Sequence, residues 1–131
     1  MSYSGSADQY REVAVLSASP AQLLTMTYDH LLVNLRRARM AVDSGNVELR
    51  CQYVAKCQDV VSELLVTLDH DRGGEIAGNL SALYVFFLRE LMQLGSAPDV
   101  TRLDRLTALV QELRDGFSQA AAVAAGRTGG G

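Results

Sequence analysis

The sequence has no tryptophan, two prolines, two cysteines and a single lysine, Lys56. Proline interrupts the helical hydrogen-bond ladder, so two in 131 residues leave long stretches free to run as helix. Two cysteines are too few for a disulfide scaffold. On one helix, Cys51 and Cys57 stand six residues and about 9 Å of rise apart and face different directions. A disulfide spans α-carbons within roughly 7 Å, so both read as reduced core or boundary thiols. No stretch approaches the roughly 20 apolar residues of a membrane span. The uncharged run 76–88 is too short and carries Asn79 and Ser81. The opening residues lack the basic-then-apolar order of a secretory signal, so the expected compartment is the cytoplasm. Basic charge is not in excess either. Lys and Arg number 12 against 15 Asp and Glu, a net charge of −3, which argues against a nucleic-acid partner that needs a basic face.

What is present fits one globular domain. Hydrophobic residues make up 48% and charged residues 21%, which excludes wholesale disorder. Residues 1–8 are small and polar and are expected to be disordered; residues 9–16 add Tyr10, Val13, Val15 and Leu16. Ser19 is a good N-cap, and Pro20 suits the first helical position, where its missing N–H costs nothing. Helix one is predicted over 20–44, stopped by Gly45. Its apolar residues Leu24, Tyr28, Leu31, Leu35, Ala38 and Val42 alternate by four and three, the seam of a helix facing a neighbour. Asn46 caps a second helix running to about 69, with Val47, Val54, Cys57, Val61, Leu64 and Leu68 as its seam. Residues 69–74 read as a turn.

Helix three is predicted over 74–94, ending at Gly95, with Ile76, Leu80, Leu83, Phe87, Leu91 and Leu94 inward. Pro98 and Asp99 open helix four, whose seam is Leu103, Leu106, Val110, Leu113, Phe117 and Ala120. Four amphipathic helices of similar length on short links predict an all-α, antiparallel four-helix bundle. Nothing alternates with the period of two that marks a strand. The expected layout is a flexible segment over 1–18 that can cap the bundle, the bundle over 19–125, and a mobile glycine-rich tail over 126–131.

Catalytic and metal-binding patterns fail one by one. A di-iron bundle needs Glu-x-x-His pairs, and no Glu has a His three residues on; His30 and His70 lie in different elements. The Asp69-x-Asp71 turn lacks the bidentate glutamate of a calcium loop, since Leu80 stands at its twelfth position. Neither cysteine has a visible histidine partner, and no Gly-x-Ser-x-Gly occurs. Gly73 and Gly74 lead into a helix N-terminus, but Glu75 supplies the negative charge there. Arg36, Arg37 and Arg39 read as a solvated face. No enzyme, metal or cofactor is expected.

The one departure from plain bundle patterning lies on helix three. Ala82, Leu83, Tyr84, Val85, Phe86, Phe87 and Leu88 cover the whole helix circumference at 100° per residue. Phe86 shares its stripe with the polar Asn79, Glu90 and Gln93, and Val85 points about 160° from Phe87. This surface is either covered by another part of the chain or offered to a partner helix, and the two readings are compatible.

Two stretches resemble the flagellin-specific secretion chaperones of the FliS family. One is Ser17, Ala18, Ser19 and Pro20 followed by Leu23, Leu24, Thr25, Met26, Thr27, Tyr28 and Asp29. The other runs in register through Ser62, Glu63, Leu64, Leu68 and Asp69, then Gly73, Gly74, Glu75, Ile76 and Ala77, then Asn79, Leu80, Leu83 and Tyr84. Glu112, Leu113, Arg114 and Phe117 resemble the end of the family's last helix. The likeness covers roughly residues 10–117. It implies a cytoplasmic, non-enzymatic chaperone, monomer or weak homodimer when unliganded. Such a chaperone binds the C-terminal region of flagellin, prevents its premature polymerisation and brings it to the flagellar export gate. It also implies that the N-terminal segment can fold over the apolar groove when flagellin is absent. Candidate partner contacts are Tyr10, Val13, Leu16, Asn79, Ala82, Val85 and Phe86. A four-helix adaptor for another amphipathic helix, or a bundle holding a small molecule, are the alternatives.

Overall fold

The computed structural model describes residues 19–129. Four helices account for them: α1 (Pro20–Asp43), α2 (Val47–Val66), α3 (His70–Ser96) and α4 (Val100–Gly129). Each start has a local cause. The Ser19 hydroxyl accepts from the Gln22 N–H while the Gln22 side chain accepts from the Ser19 N–H, a capping box with Pro20 at the first helical position. The Asn46, Asp69 and Asp99 side chains accept from the N–H groups of Leu49, Arg72 and Arg102.

The ends differ from the sequence expectation in four places. α2 stops at Val66, with Thr67 as its C-cap, rather than near residue 69. The stretch 69–74 is a turn of helix capped by Asp69, followed by a kink at Gly74, where φ is 52° and ψ −123°. Only glycine adopts that backbone without strain, and a Cβ on the adjacent Gly73 would meet the Ala77 Cβ at 2.8 Å. The glycine pair therefore serves the kink and the close turn. Gly95 does not end α3, which runs on to Ser96. Gly45 does follow α1 in the left-handed region, at φ 69°. α4 continues to Gly129, past the boundary at 125 set by composition.

The helices run antiparallel in a ring. Along α1 and α4, Arg39 pairs with Asp104, Arg36 donates to Gln111, and Arg114 pairs with Asp29, so the two chains run in opposite senses. The start of α2 meets the end of α3, where Arg50 and Cys51 both donate to the Gly95 carbonyl. α1 packs closely on α2 and α4, and α2 on α3, whereas α3 and α4 touch least of the four adjacent pairs. The core joins Tyr28, Leu31, Leu35, Val61, Phe87, Leu91, Leu103 and Val110 with their neighbours. Burial of such side chains contributes about 1.5–3 kcal/mol each.

The predicted seams hold in the middle of each helix and fail at the ends. Val47 and Ile76 are 60% and 68% exposed, and Ala120 is exposed. Helical phase sets a direction, but it does not say whether a neighbour closes over that face. Leu32, Ala41 and Val60 are buried besides the predicted set. Cys57 is buried, and desolvation pushes its thiol up to about 12. Cys51 is exposed, and the two form no disulfide with each other.

Candidate functional site

The loose contact between α3 and α4 has a cause in residue size. At 100° per residue, the flank of α3 turned toward α4 carries Glu90, Phe86, Leu83, Asn79 and Ala82. The facing flank of α4 carries Arg102, Leu109, Leu113, Gly116 and Ala120. At one end the Arg102 guanidinium bonds to the Glu90 carboxylate and lies 3.5 Å from Asp99, which draws the helices together. The Arg102 N–H bond and guanidinium hold the Asp99 carboxyl below its ordinary pKa. At the other end the facing residues are Gly116, with nothing near the place of a Cβ, and Ala120. Side chains that small leave the seam open.

Apolar groups line the opening. Leu80, Leu83, Leu109, Leu113 and Phe117 pack on the core while remaining partly exposed. Ile76, whose helical phase points into the bundle, is open to solvent, and Phe86 is 41% exposed on the rim. The floor is rigid. Tyr28 and Tyr84 lie buried and hydrogen-bonded hydroxyl to hydroxyl, and Phe117 stacks on Tyr28 with ring centroids 5.6 Å apart. Burial raises the pKa of both phenols.

A second opening lies at the same end. Pro20, Leu23, Leu24 and Thr27 of α1 face Glu63 and Leu64 of α2 and Thr67 across a cleft of about 510 Å³. It is mostly apolar, with one carboxylate at its edge. The apolar Leu23 and Leu24 were visible in the sequence; that α1 and α2 part at this level was not.

The candidate contacts separate into groups. Tyr10, Val13 and Leu16 lie outside the described residues. Asn79, Ala82 and Phe86 share the open flank of α3 and are exposed. Val85 stands apart on the opposite flank and is half-buried, less open than Phe86, the reverse of the order expected from the helical wheel. The cause is the neighbour on each side, because α2 packs closely on the Val85 flank and α4 stands off the Phe86 flank. Ile76 and Leu113 belong to the opening and were assigned to the core seams by sequence, whereas Leu109, also in the opening, was in no predicted seam.

Nothing in this surface is built for covalent chemistry. Among the described residues no group of three or more His, Cys, Asp or Glu side chains could hold a metal ion. His30 is exposed, and among the described residues its ring hydrogen-bonds with Asn34 alone. No helix of the described residues is long and apolar enough to cross a membrane. Fold and surface together define a helical-bundle binding protein with a partly open apolar seam.

The comparisons narrow that class. Residues 3–124 match the family described as "Flagellar protein FliS", so the chain belongs to the FliS family. The chain is 34% identical over 109 residues to the "Flagellar secretion chaperone FliS" of Salmonella typhimurium, covering 82% of this chain and 81% of that one. To the FliSB chaperone of Pseudomonas aeruginosa it is 30% identical over 113 residues, covering 83% and 90%. A solved structure titled "Crystal structure of flagellar chaperone from bacteria" superposes with a TM-score of 0.75 at 16% identity, over 88% of this chain and 98% of that one. That likeness bears on the fold. The family is one of flagellar secretion chaperones and not of enzymes.

Proposed function

We propose that this flagellar secretion chaperone holds the C-terminal region of flagellin in the cytoplasm, keeps it from polymerising and presents it to the flagellar export gate. The observation that carries the reading is the open α3–α4 seam. Ile76 and Phe86 are exposed beside partly open Leu80, Leu83, Leu109, Leu113 and Phe117. An amphipathic segment laid into such a groove buries its apolar face, and each large side chain fully covered contributes about 1.5–3 kcal/mol. A segment held along one face keeps little structure of its own and stays threadable.

The N-terminal segment supplies an internal occupant in this reading. Tyr10, Val13 and Leu16 act as a lid on apolar surface until flagellin displaces it, and the unliganded chain is a monomer or weak homodimer. No nucleic acid, metal, cofactor or membrane insertion takes part. The direct test is titration calorimetry of the full chain with a C-terminal flagellin fragment. A saturable 1:1 complex is expected. No binding at any reachable concentration would remove the flagellin assignment in favour of an adaptor for another amphipathic helix.

A further inference from the structure

The α1–α2 side of the bundle lies opposite the α3–α4 seam in the ring. The three arginines near the middle of α1 part company there. Arg36 and Arg39 turn toward α4, where they meet Gln111 and Asp104. Arg37 turns toward α2 and places its guanidinium carbon 5.9 Å from the centroid of the Tyr53 ring. Lys56, the only lysine of the sequence, brings its Nζ to 5.4 Å from the same centroid. Two exposed cations therefore share one half-buried aromatic ring. Neither has a carboxylate partner among the described residues.

Apolar side chains surround the pair. Val33 and Met40 stand within about one turn of Arg37 on α1, and Leu49 precedes Tyr53 by about one turn on α2. All three are exposed, Met40 by 68%. Arginine, methionine and aromatic residues are enriched where proteins meet. A ring face attracts a cation, but two like charges beside one ring repel each other, and an anion relieves that repulsion. The ring also holds both charged heads in place, so an arriving carboxylate meets donors already positioned. A polyanion fits this face poorly, because Asp59 and Glu63 follow Lys56 on α2 by three and seven positions and the chain carries a net −3. A second copy fits poorly as well, since a two-fold interface over this face would set its cations against their own copies. One or two carboxylates among apolar side chains complement it.

We infer that Val33, Arg37, Met40, Leu49, Tyr53 and Lys56 form a docking surface for an acidic amphipathic segment of a partner polypeptide. Its carboxylates lie against Arg37 and Lys56, and its apolar side chains cover Val33, Met40 and Leu49. The surface is across the bundle from the α3–α4 seam and leaves the seam free, so the inference does not rest on the flagellin assignment.

The test uses the full chain and two synthetic amphipathic helices, both with leucine on one side, one with glutamate and the other with lysine on the opposite side. Affinity is measured by calorimetry and the contact surface by amide resonances. The glutamate peptide should bind saturably and shift residues 33–40 and 49–56, more weakly as salt is added. The lysine peptide should bind at least about tenfold more weakly. Arg37→Gln and Lys56→Gln, each at an exposed position, should leave the urea midpoint in place and together weaken the glutamate peptide about tenfold. Arg89→Gln, at an exposed position on α3, should change nothing. The exchange of peptide charge decides the matter even where a variant folds poorly. Equal binding of the two peptides, no binding of either, or shifts confined to α3 and α4 would overturn the inference. So would Overhauser contacts between the Met40 methyl and residues 1–18 in the unliganded chain, which would make the chain's own N-terminal segment the occupant.

Discussion

The phenolic hydroxyls of Tyr28 and Tyr84, 56 positions apart in the chain, hydrogen-bond to each other in the buried centre of the bundle. One comes from α1 and the other from α3, helices that are not neighbours in the ring. With Phe117 stacked on Tyr28, this pair ties three helices beneath the apolar opening. Each hydroxyl is the other's partner in the core, so removing one orphans the other. Tyr84→Phe and Tyr28→Phe should each cost about 1–3 kcal/mol. The double Phe variant should cost clearly less than the sum, because it leaves no orphan. Urea midpoints of the four proteins in the cycle give the coupling, and strict additivity would show that the hydroxyls do not interact.

The same burial makes stability fall in alkali. Cys57 is pushed from 9.0 up to about 12, and both phenols are raised above 10.0. A raised folded-state pKa means that above the unfolded value the unfolded chain loses a proton the native chain keeps. The contribution is therefore whole below pH 9 and is lost as pH rises, first through Cys57 and then, above pH 10, through the two tyrosines. Each group costs about 1.4 kcal/mol per pH unit in its window. Chemical denaturation from pH 8 to 11 should show a slope that steepens near 10, and Cys57→Ala should flatten the first part. A flat profile would contradict the burial of all three groups. With an aromatic disulfide reagent at pH 8, only the exposed Cys51 should react in the folded protein.

Gly74 and Gly78 offer a paired test of the kink. Gly74 has φ 52° and ψ −123°, where a side chain is strained whatever the space around it. Gly74→Ala should destabilise by about 1–3 kcal/mol. Gly78 sits in regular α3 with open space where a Cβ would stand, so Gly78→Ala should stabilise by about 0.5–1 kcal/mol. Thermal midpoints moving the same way in both variants would mean that α3 starts differently.

Most of the core was legible in the sequence because helical phase reports direction. Leu31, Leu35, Val61, Phe87 and Val110 were placed inward by period alone and are buried. Phase does not report whether a neighbour closes over that face, and Val47 and Ile76 were assigned inward and are exposed. Nor does it report how closely two helices stand. The clue to the opening was Gly116 and Ala120 on the α4 flank, side chains too small to fill a seam. Arg50 carried no sequence signal at all, since its burial depends on where the α3–α4 link passes. The glycine pair was recognised by resemblance, and the kink gives its physical reason.

The lid proposed for residues 1–18 is testable by deletion. Removing residues 1–15 takes away Tyr10 and Val13 and none of the four helices. The bundle should stay folded by circular dichroism, while uncovered apolar surface should raise self-association in sedimentation velocity. Flagellin affinity should change as well, because a displaced competitor and a lost contact both act on it. An unchanged monomer fraction together with unchanged binding would sink the lid.

The open seam predicts how charge placed on α3 separates binding from folding. Phe86 lies on the rim and Ile76 in the mouth, both exposed, so an aspartate at either meets water in the unliganded protein. Phe86→Asp adds a like charge four residues before Glu90, worth a few tenths of a kcal/mol, and its urea midpoint should move little. Ile76→Asp should behave in the same way. Val85 is half-buried on the α2 flank, so Val85→Asp should lose about 1–3 kcal/mol of stability without a specific effect on binding. Phe87 is fully buried, and Phe87→Asp should unfold the chain, since even truncating such a side chain to alanine costs about 3–5 kcal/mol. Against a C-terminal flagellin fragment, Phe86→Asp or Ile76→Asp should lose tenfold or more in affinity, about 1.4 kcal/mol. If both bind normally while remaining folded, flagellin does not use this seam, and the cleft between Leu23, Leu24 and Leu64 becomes the surface to mutate. If both unfold, the seam is closed in solution and these side chains belong to the core.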